Sequence, residues 1–356
     1  MKRVLFISAF HPSGIGSIGA GEAICGNNLK EFLAQSYEVD VIVCTPSDQR
    51  RNEELATRCA SYVEEHTSKI KQISGILFNF FKGSIFAPWF YTRITPFLIK
   101  IIQHKLDQND YDIVWLDFPS VLGCVDHIKH NNIHYFAHDV VSQRISRTKI
   151  NKIFFPWVGT IESGLLNKLT GIRTMSNKDK DLIRTLGFNG AVSVVELGQQ
   201  RVGQVDNGTE ISKIVSSFAG KTNLVFFGNM KRSENHWSIL WFIFFHFIKM
   251  KKEKRNLNLW VLGIQPRQSL KILEKLITGV HVVGAVDDPV PAFIRADLNI
   301  APLLYGAGVK IKVLQILDAG AKVVATEIGA EGIQHHENLF IVNKADISKK
   351  ILTLLE

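Results

Sequence analysis

Twelve short apolar runs, separated by stretches of helical character, constrain this chain more than any other feature of its sequence. In the first half they are Val4–Phe10, Val39–Cys44, Ile113–Leu116, His134–Ala137, Ile172–Met175 and Val192–Val195. In the second half they are Leu224–Phe227, Leu257–Leu262, Val280–Val283, Leu298–Ala301, Val323–Ala325 and Leu339–Val342. Helical or amphipathic stretches fall between them, among them Gly21–Ala34, Arg93–His104 and Ile161–Leu169, then Asn235–Lys249, Gln268–Ile277, Val309–Leu317 and Asp346–Leu354. Continuous apolar strands alternating with helices predict an α/β fold whose parallel sheets are covered on both faces. The order repeats after residue 200, so two Rossmann-like domains are expected, residues 1–200 and 201–356, joined through the polar, glycine-bearing stretch Gly198–Glu210. Open sheets of this kind hold ligands at the carboxyl ends of their strands, here in a cleft between the two domains.

Composition narrows the partners. At 46% hydrophobic and 21% charged residues the chain is globular rather than disordered. Its net charge of +9 suits an anionic partner: nucleic acid, an anionic membrane surface or a phosphorylated small molecule. A basic surface kept for solubility is the plainer alternative. Zinc-finger spacing and aromatic-basic ribonucleoprotein motifs are both missing, which argues against nucleic acid. Cys25, Cys44, Cys59 and Cys124 show no C-x-x-C spacing, pointing to a reducing compartment without a disulfide framework or structural metal.

Met1-Lys2-Arg3 and the apolar run behind it imitate a signal peptide, but the run breaks at His11-Pro12, as a buried first strand does. Residues 237–250 are apolar but fall short of the roughly 20 residues a membrane helix needs. A cytoplasmic or peripheral protein is expected, at the inner face of a membrane if peripheral.

Four segments carry candidate chemistry. After the first strand, Gly14, Gly16, Gly19 and Gly21 make a glycine loop that opens a helix. Such a loop can present backbone amides to a phosphate or admit an acceptor closely, or be only a pliant turn. Gly14, Gly16 and Gly19 match a dinucleotide fingerprint, but no acidic residue ends the second strand, so a nicotinamide cofactor is not expected. Residues 76–104 mix aromatics with Lys82, Arg93, Lys100 and His104, which suits either an anionic lipid surface or a core helix with a solvated edge. His138 and Asp139 follow an apolar strand, where His can hydrogen-bond or move a proton and Asp can orient it, or Asp139 can simply cap the next helix. The fourth segment runs from Asn223 to Ile333. Gly306 and Gly308 leave amides open before a helix whose first turn carries Lys310 and Lys312, with Gln315 on the same face. Cations are mildly opposed by the dipole there, so an anionic ligand is the reason to place them.

The same segment resembles a known family. Gly228-Asn229-Met230 with Asn235, then Gly284, then Pro302…Gly306-x-Gly308…Lys312…Gln315…Asp318-Ala319-Gly320…Val323-Val324-Ala325-Thr326…Gly329-Ala330-Glu331-Gly332-Ile333 resembles the family-four GT-B glycosyltransferases. The first half resembles them more loosely, through the glycine loop, His138, and Glu162 followed by Ser176 and Asp179. The resemblance implies a GT-B fold and metal-independent, retaining transfer of a sugar from a nucleotide-diphosphate sugar, with no separate cofactor or metal. The acceptor would be a glycan or a lipid-linked molecule. By the same resemblance the donor meets Gly228, Asn229, Lys231, Asn235, Gly284, Gly306, Ala307, Gly308, Val309, Lys310, Lys312 and Gln315. Gly16, Gly19 and Gly21 form an acceptor or phosphate loop, and His138 with Asp139 serves the reaction.

Three departures from the family pattern stand out. Gln315 stands where a glutamate usually grips the ribose, and Ala307 where another contacts the sugar. Asn229 and Asn235 replace the arginine and lysine that commonly clamp the diphosphate, leaving Lys231, Lys310 or Lys312 to supply charge. These departures keep two further readings open: a nucleotide-sugar-binding scaffold subunit that has lost catalysis, and a nucleotide-sugar 2-epimerase of the same architecture.

Overall fold

A seven-stranded parallel sheet organises the first unit of the chain, Met1–Glu196, and a six-stranded parallel sheet the second, Leu197–Glu356. The structure is a computed structural model and describes residues 2–12, 20–45, 51–146, 155–195, 210–286, 288–306 and 308–356. In the first unit the strands are β1 (Arg3–Ser8), β2 (Glu38–Thr45), β3 (Ser61–His66), β4 (Ile113–Asp117), β5 (Ile133–Ala137), β6 (Gly171–Thr174) and β7 (Ala191–Val194). They lie in the order β3-β2-β1-β4-β5-β6-β7. The second unit orders β8 (Thr222–Phe227), β9 (Leu257–Leu262), β10 (Val280–Gly284), β11 (Leu298–Ala301), β12 (Val323–Thr326) and β13 (Leu339–Val342) as β10-β9-β8-β11-β12-β13.

Both sheets wind outward from their first strand to one side and then resume on the other. This leaves a topological switch between β1 and β4, and a second between β8 and β11. Helices before and after such a switch pack on opposite faces of the sheet, so a crevice opens at the strands' carboxyl ends. Parallel strands covered on both faces need apolar side chains in both directions, and β1 has them: Val4, Leu5, Phe6 and Ile7 are fully buried. The run behind Met1-Lys2-Arg3 is thus a central strand.

The twelve apolar runs of the sequence all lie on strands. The thirteenth strand, β3, reads Ser-Tyr-Val-Glu-Glu-His and pairs only with β2 at the sheet edge, so it needs no continuous apolar run. Residues 237–250 fall within one continuous helical stretch, 233–253, interrupted by a π-helical turn at Ile243–Phe247. Its Ile239, Phe242, Ile243, Phe247 and Met250 are fully buried against the sheet. Among the described residues no helix is long and apolar enough to cross a membrane. Residues 198–209 of the expected linker lie outside the described residues.

Candidate functional sites

In the first unit, neighbouring strands bring two side chains together at the switch. β4 ends in Asp117 and β5 is followed directly by His138, and Phe136 lies in register with Asp117. His138 Nε2 lies 2.7 Å from Asp117 Oδ1. The other carboxylate oxygen accepts from Asn28 Nδ2 at 2.8 Å and from Trp115 Nε1 at 3.1 Å. With Nε2–H donating to the carboxylate, Nδ1 is the ring nitrogen left to meet a ligand, and it has no hydrogen-bond partner among the described residues.

One face of the imidazole is fixed as well. Phe118 stacks on it with centroids 3.7 Å apart and planes within 4°. Phe118 holds φ +85°, a region costly for a side-chain-bearing residue, and is kept there by Phe10 and Gly21. A methyl group at Gly21 would meet the Phe118 ring at 2.9 Å. Gly21 therefore stands beside the His138 site, while Gly14, Gly16 and Gly19 lie outside the described residues.

Asp139 is not drawn into this pair and does not cap the following helix. Its carboxylate accepts from Arg144 Nη1 at 2.7 Å. The capping is done by Glu162, fully buried on the helix Phe155–Leu166. Its two oxygens accept from the amides of Val141 and Ser142, at 2.9 and 2.8 Å, at the start of the helix Val141–Ser146. Burial outweighs those bonds and raises the Glu162 carboxyl from 4.5 to about 7. Ser176 caps the helix Asn177–Thr185: its Oγ accepts from the Asp179 amide at 3.1 Å and donates to Asp179 Oδ2 at 2.7 Å.

A raised native carboxyl makes the folded state bind more protons than the unfolded one. The Glu162 contribution is therefore full below pH 4.5 and is lost as pH rises through 7. Urea unfolding at pH 5 and pH 8 is expected to differ by roughly 1–3 kcal/mol from this group, a difference absent in Glu162→Gln.

In the second unit the backbone approaches itself at the ends of β8, β9 and β10. The Gly263 amide donates to the Gly284 carbonyl at 2.6 Å, and the Gly228 amide to Leu262 at 3.0 Å. Gly263 has φ +131°, and a Cβ there would fall 1.9 Å from the Gly228 oxygen, so only glycine fits. Gly228 and Gly284 are thus joined through Gly263, which sequence reading missed.

Asn235 faces the same turn. Its Nδ2 donates to the Asn229 carbonyl at 2.9 Å, and its Oδ1 accepts from Lys312 Nζ at 2.7 Å. Lys312 is the second residue of the helix Ile311–Asp318, with Lys310 at the N-cap position, so the helix begins two residues later than its sequence suggested. The Lys312 ammonium lies 4.5 Å from the centroid of the Phe226 ring. Burial first, then Lys310, lower its pKa from 10.5 to about 7, while Glu234 opposes the fall.

The neighbouring positions have partners of their own. Lys310 Nζ donates to the Gly308 carbonyl and lies 3.9 Å from the Glu331 carboxylate. Gly306 and Gly308 hold φ +138° and +72°, and Ala307 between them lies outside the described residues. Val309 is half-buried, as is Gln315 one turn beyond Lys312. Lys231 stands apart: its side chain is exposed, its amide donates to Asn229 Oδ1, and its carbonyl accepts from Arg267. What results is a helix start with the Lys312 amine held on Asn235 and over Phe226 and the Lys310 amine against Gly308, an arrangement that gains most from a dianionic ligand. Among the described residues no three His, Cys, Asp or Glu side chains are grouped to hold a metal ion.

The fold has counterparts among known proteins. Residues 221–356 match the family described as Glycosyl transferases group 1. The whole chain superposes on sucrose-phosphate synthase from Thermosynechococcus elongatus with a TM-score of 0.71 at 13% identity, covering 99% of this chain and 90% of that one. Anabaena Alr3699/HepE, solved in complex with UDP-glucose, gives 0.67 at 14% identity, covering 100% and 90%. WaaG, a glycosyltransferase involved in lipopolysaccharide biosynthesis, gives 0.63 at 15% identity, covering 100% and 90%. No curated protein matches the chain in sequence. The molecule has the GT-B type of α/β fold, and its second unit resembles the group 1 glycosyl transferases over residues 221–356.

Proposed function

We propose that this protein transfers a sugar from a nucleoside-diphosphate sugar to a glycan or lipid-linked acceptor, without a metal and with retention at the anomeric carbon. The Lys312 ammonium, held on Asn235 and over the Phe226 ring, carries the reading. A charge removed from water beside an amide-lined helix start is costly unless a ligand brings compensating negative charge. Lys312, Lys310 and the Gly306–Gly308 amides hold the diphosphate, Gln315 the ribose, and Gly228, Gly263 and Gly284 the base end of the donor. Negative charge grows on the diphosphate as the glycosidic bond breaks, and fixed amides and cations there lower the barrier. His138 has the chemistry to hydrogen-bond a sugar hydroxyl or a phosphate oxygen, oriented by Asp117. HepE was solved with UDP-glucose and with UDP and glucose, which makes uridine diphosphate sugars the first donors to try.

Incubation with uridine, guanosine and adenosine diphosphate sugars is expected to raise the melting temperature with one base class and to release its nucleoside diphosphate slowly into water. Binding without release, with an acceptor mixture present, would identify a scaffold subunit. Interconversion of the donor sugar would identify an epimerase. No thermal shift with any donor at millimolar concentration would overturn the assignment.

A further inference from the structure

The helix Lys69–Phe78 in the first unit is turned the wrong way round for a soluble protein. Its inward side presents Gln72, Gly75, Ile76 and Asn79, of which Gly75 and Asn79 are fully buried. Gly75 lies so close to the chain ahead of it that a Cβ would stand 2.8 Å from the Tyr91 oxygen. Asn79 then locks the end of the helix: its amide donates to the Gly75 and Ile94 carbonyls at 2.8 and 2.9 Å, and its Oδ1 meets His127 Nε2 at 2.7 Å. Polar and small residues hold this helix to the body.

Its large apolar residues point outward. Ile70, Ile73 and Leu77, spaced along one face, are 80%, 59% and 65% exposed, and the turn that follows leaves Phe81 at 96%. Phe80, Ile85 and Phe86 are exposed beside it, and Phe86 stacks on the half-exposed Trp157. Lys71 Nζ, 5.8 Å from the centroid of the exposed Phe97 ring, extends the surface to the helix Pro96–Gln108.

Charge identifies what covers this face. From residue 66 to residue 106 there is no Asp or Glu, against Lys69, Lys71, Lys82, Arg93, Lys100 and Lys105. Arg93 and Lys105 turn inward, to the Ala9 and Cys44 carbonyls and to Asp40 and Ser61, and Lys71 pairs with Glu65. Lys69, Lys82 and Lys100 are exposed around the apolar residues. A second copy of the chain on a two-fold axis would bring lysine against lysine with no acid to separate them. Apolar side chains ringed by cations match the boundary between acyl chains and anionic headgroups.

We infer that the helix Lys69–Phe78 and the turn through Phe86 form a docking platform for an anionic lipid surface, with Ile70, Ile73, Leu77 and Phe81 entering the acyl boundary and Lys69, Lys82 and Lys100 meeting phosphate headgroups. The platform differs from the sequence expectation of residues 76–104. There, Leu98, Ile99 and Ile102 are buried in the core and Arg93 is turned inward. The inference does not depend on the transfer reaction, because docking is measured without donor.

Sedimentation with vesicles of phosphatidylcholine containing phosphatidylglycerol, and with phosphatidylcholine alone, tests it on the full chain. The protein is expected to pellet with the anionic vesicles, far less with the neutral ones, and to be released by salt near 1 M. Leu77→Ser/Phe81→Ser is expected to weaken binding at least about tenfold. Lys82→Glu/Lys100→Glu is expected to weaken it by about fivefold or more per lysine. Both variants change exposed side chains, so unaltered melting and unaltered nucleotide-sugar binding are expected as folding controls. Equal pelleting with both vesicle types, no pelleting with either, or wild-type binding by both variants would each overturn the inference. So would a wild-type dimer that Leu77→Ser/Phe81→Ser converts to monomer.

Discussion

Lys312→Met is expected to be more stable than the parent protein below pH 7 and unable to respond to nucleotide-sugars. The fall of the Lys312 pKa from 10.5 to about 7 means that folding disfavours its charged form. That fall corresponds to on the order of 4–5 kcal/mol borne by the native state wherever the amine is protonated. The sign follows from proton counts. Below pH 7 both states carry the proton and the cost is full. Between pH 7 and 10.5 the unfolded chain binds more protons than the native one, so stability rises with pH across that window.

Methionine fills similar space without a charge. It gives up the bond to Asn235, which costs about 1 kcal/mol, so a net gain of roughly 2–4 kcal/mol is expected at pH 6.5, with the rise toward pH 10 flattened. Denaturant unfolding across pH checks both parts. A diphosphate seated against the amine would restore its proton, so donor binding by the parent near pH 8 should take up protons, visible in calorimetry as an enthalpy that depends on the buffer. In Lys312→Met the thermal shift and the proton uptake should both vanish. A variant that binds donor normally would detach the diphosphate from this helix.

Asp117→Ala is expected to cost about 3 kcal/mol or more, because it strands the buried donors of Asn28 and Trp115 and the partly buried one of His138 at one point. Asp117→Asn should be only a partial repair. Its oxygen can keep the bonds from Asn28 and Trp115, but its amide nitrogen then faces His138 Nε2, which must give up its proton and adopt the other tautomer. His138→Ala should cost far less stability, about 1 kcal/mol, since the carboxylate keeps its other two bonds. If His138 serves transfer, both Asp117→Asn and His138→Ala should lower turnover, by about 100-fold or more for the histidine. Urea unfolding separates the two effects: a turnover loss in His138→Ala with stability nearly intact marks function. Unchanged stability in Asp117→Ala would show that the carboxylate holds nothing together.

The strands were legible because each buried parallel strand must be apolar on both faces, and the twelve apolar runs of the sequence coincide with strands. β3 was not, because an edge strand escapes that requirement. Along the β8–β11 switch, glycine spacing and the two lysines were visible in the sequence, as local signals within one turn and one helix start. Asp117 and Gly263 were not: the one acts on a residue 21 positions away, and the other matters only because a neighbouring strand's backbone passes over it. An acid that ends an apolar strand, as Asp117 ends β4, is the signal that was available for the first of these.

Sequence alone thus determined the layered α/β architecture, its duplication and the family likeness of the second half, since all three follow from periodicity and local spacing along the chain. Tertiary structure alone decided orientation. It turned Lys312 inward onto Asn235 and Phe226, gave Asp139 to Arg144 and the helix cap to Glu162, and faced Ile70, Ile73 and Leu77 outward while Gly75 and Asn79 face in. Helical spacing says which residues share a side of a helix. Only the packing of distant segments, here the Tyr91 and Ile94 backbone against Gly75 and Asn79, says which side meets the protein and which meets its surroundings.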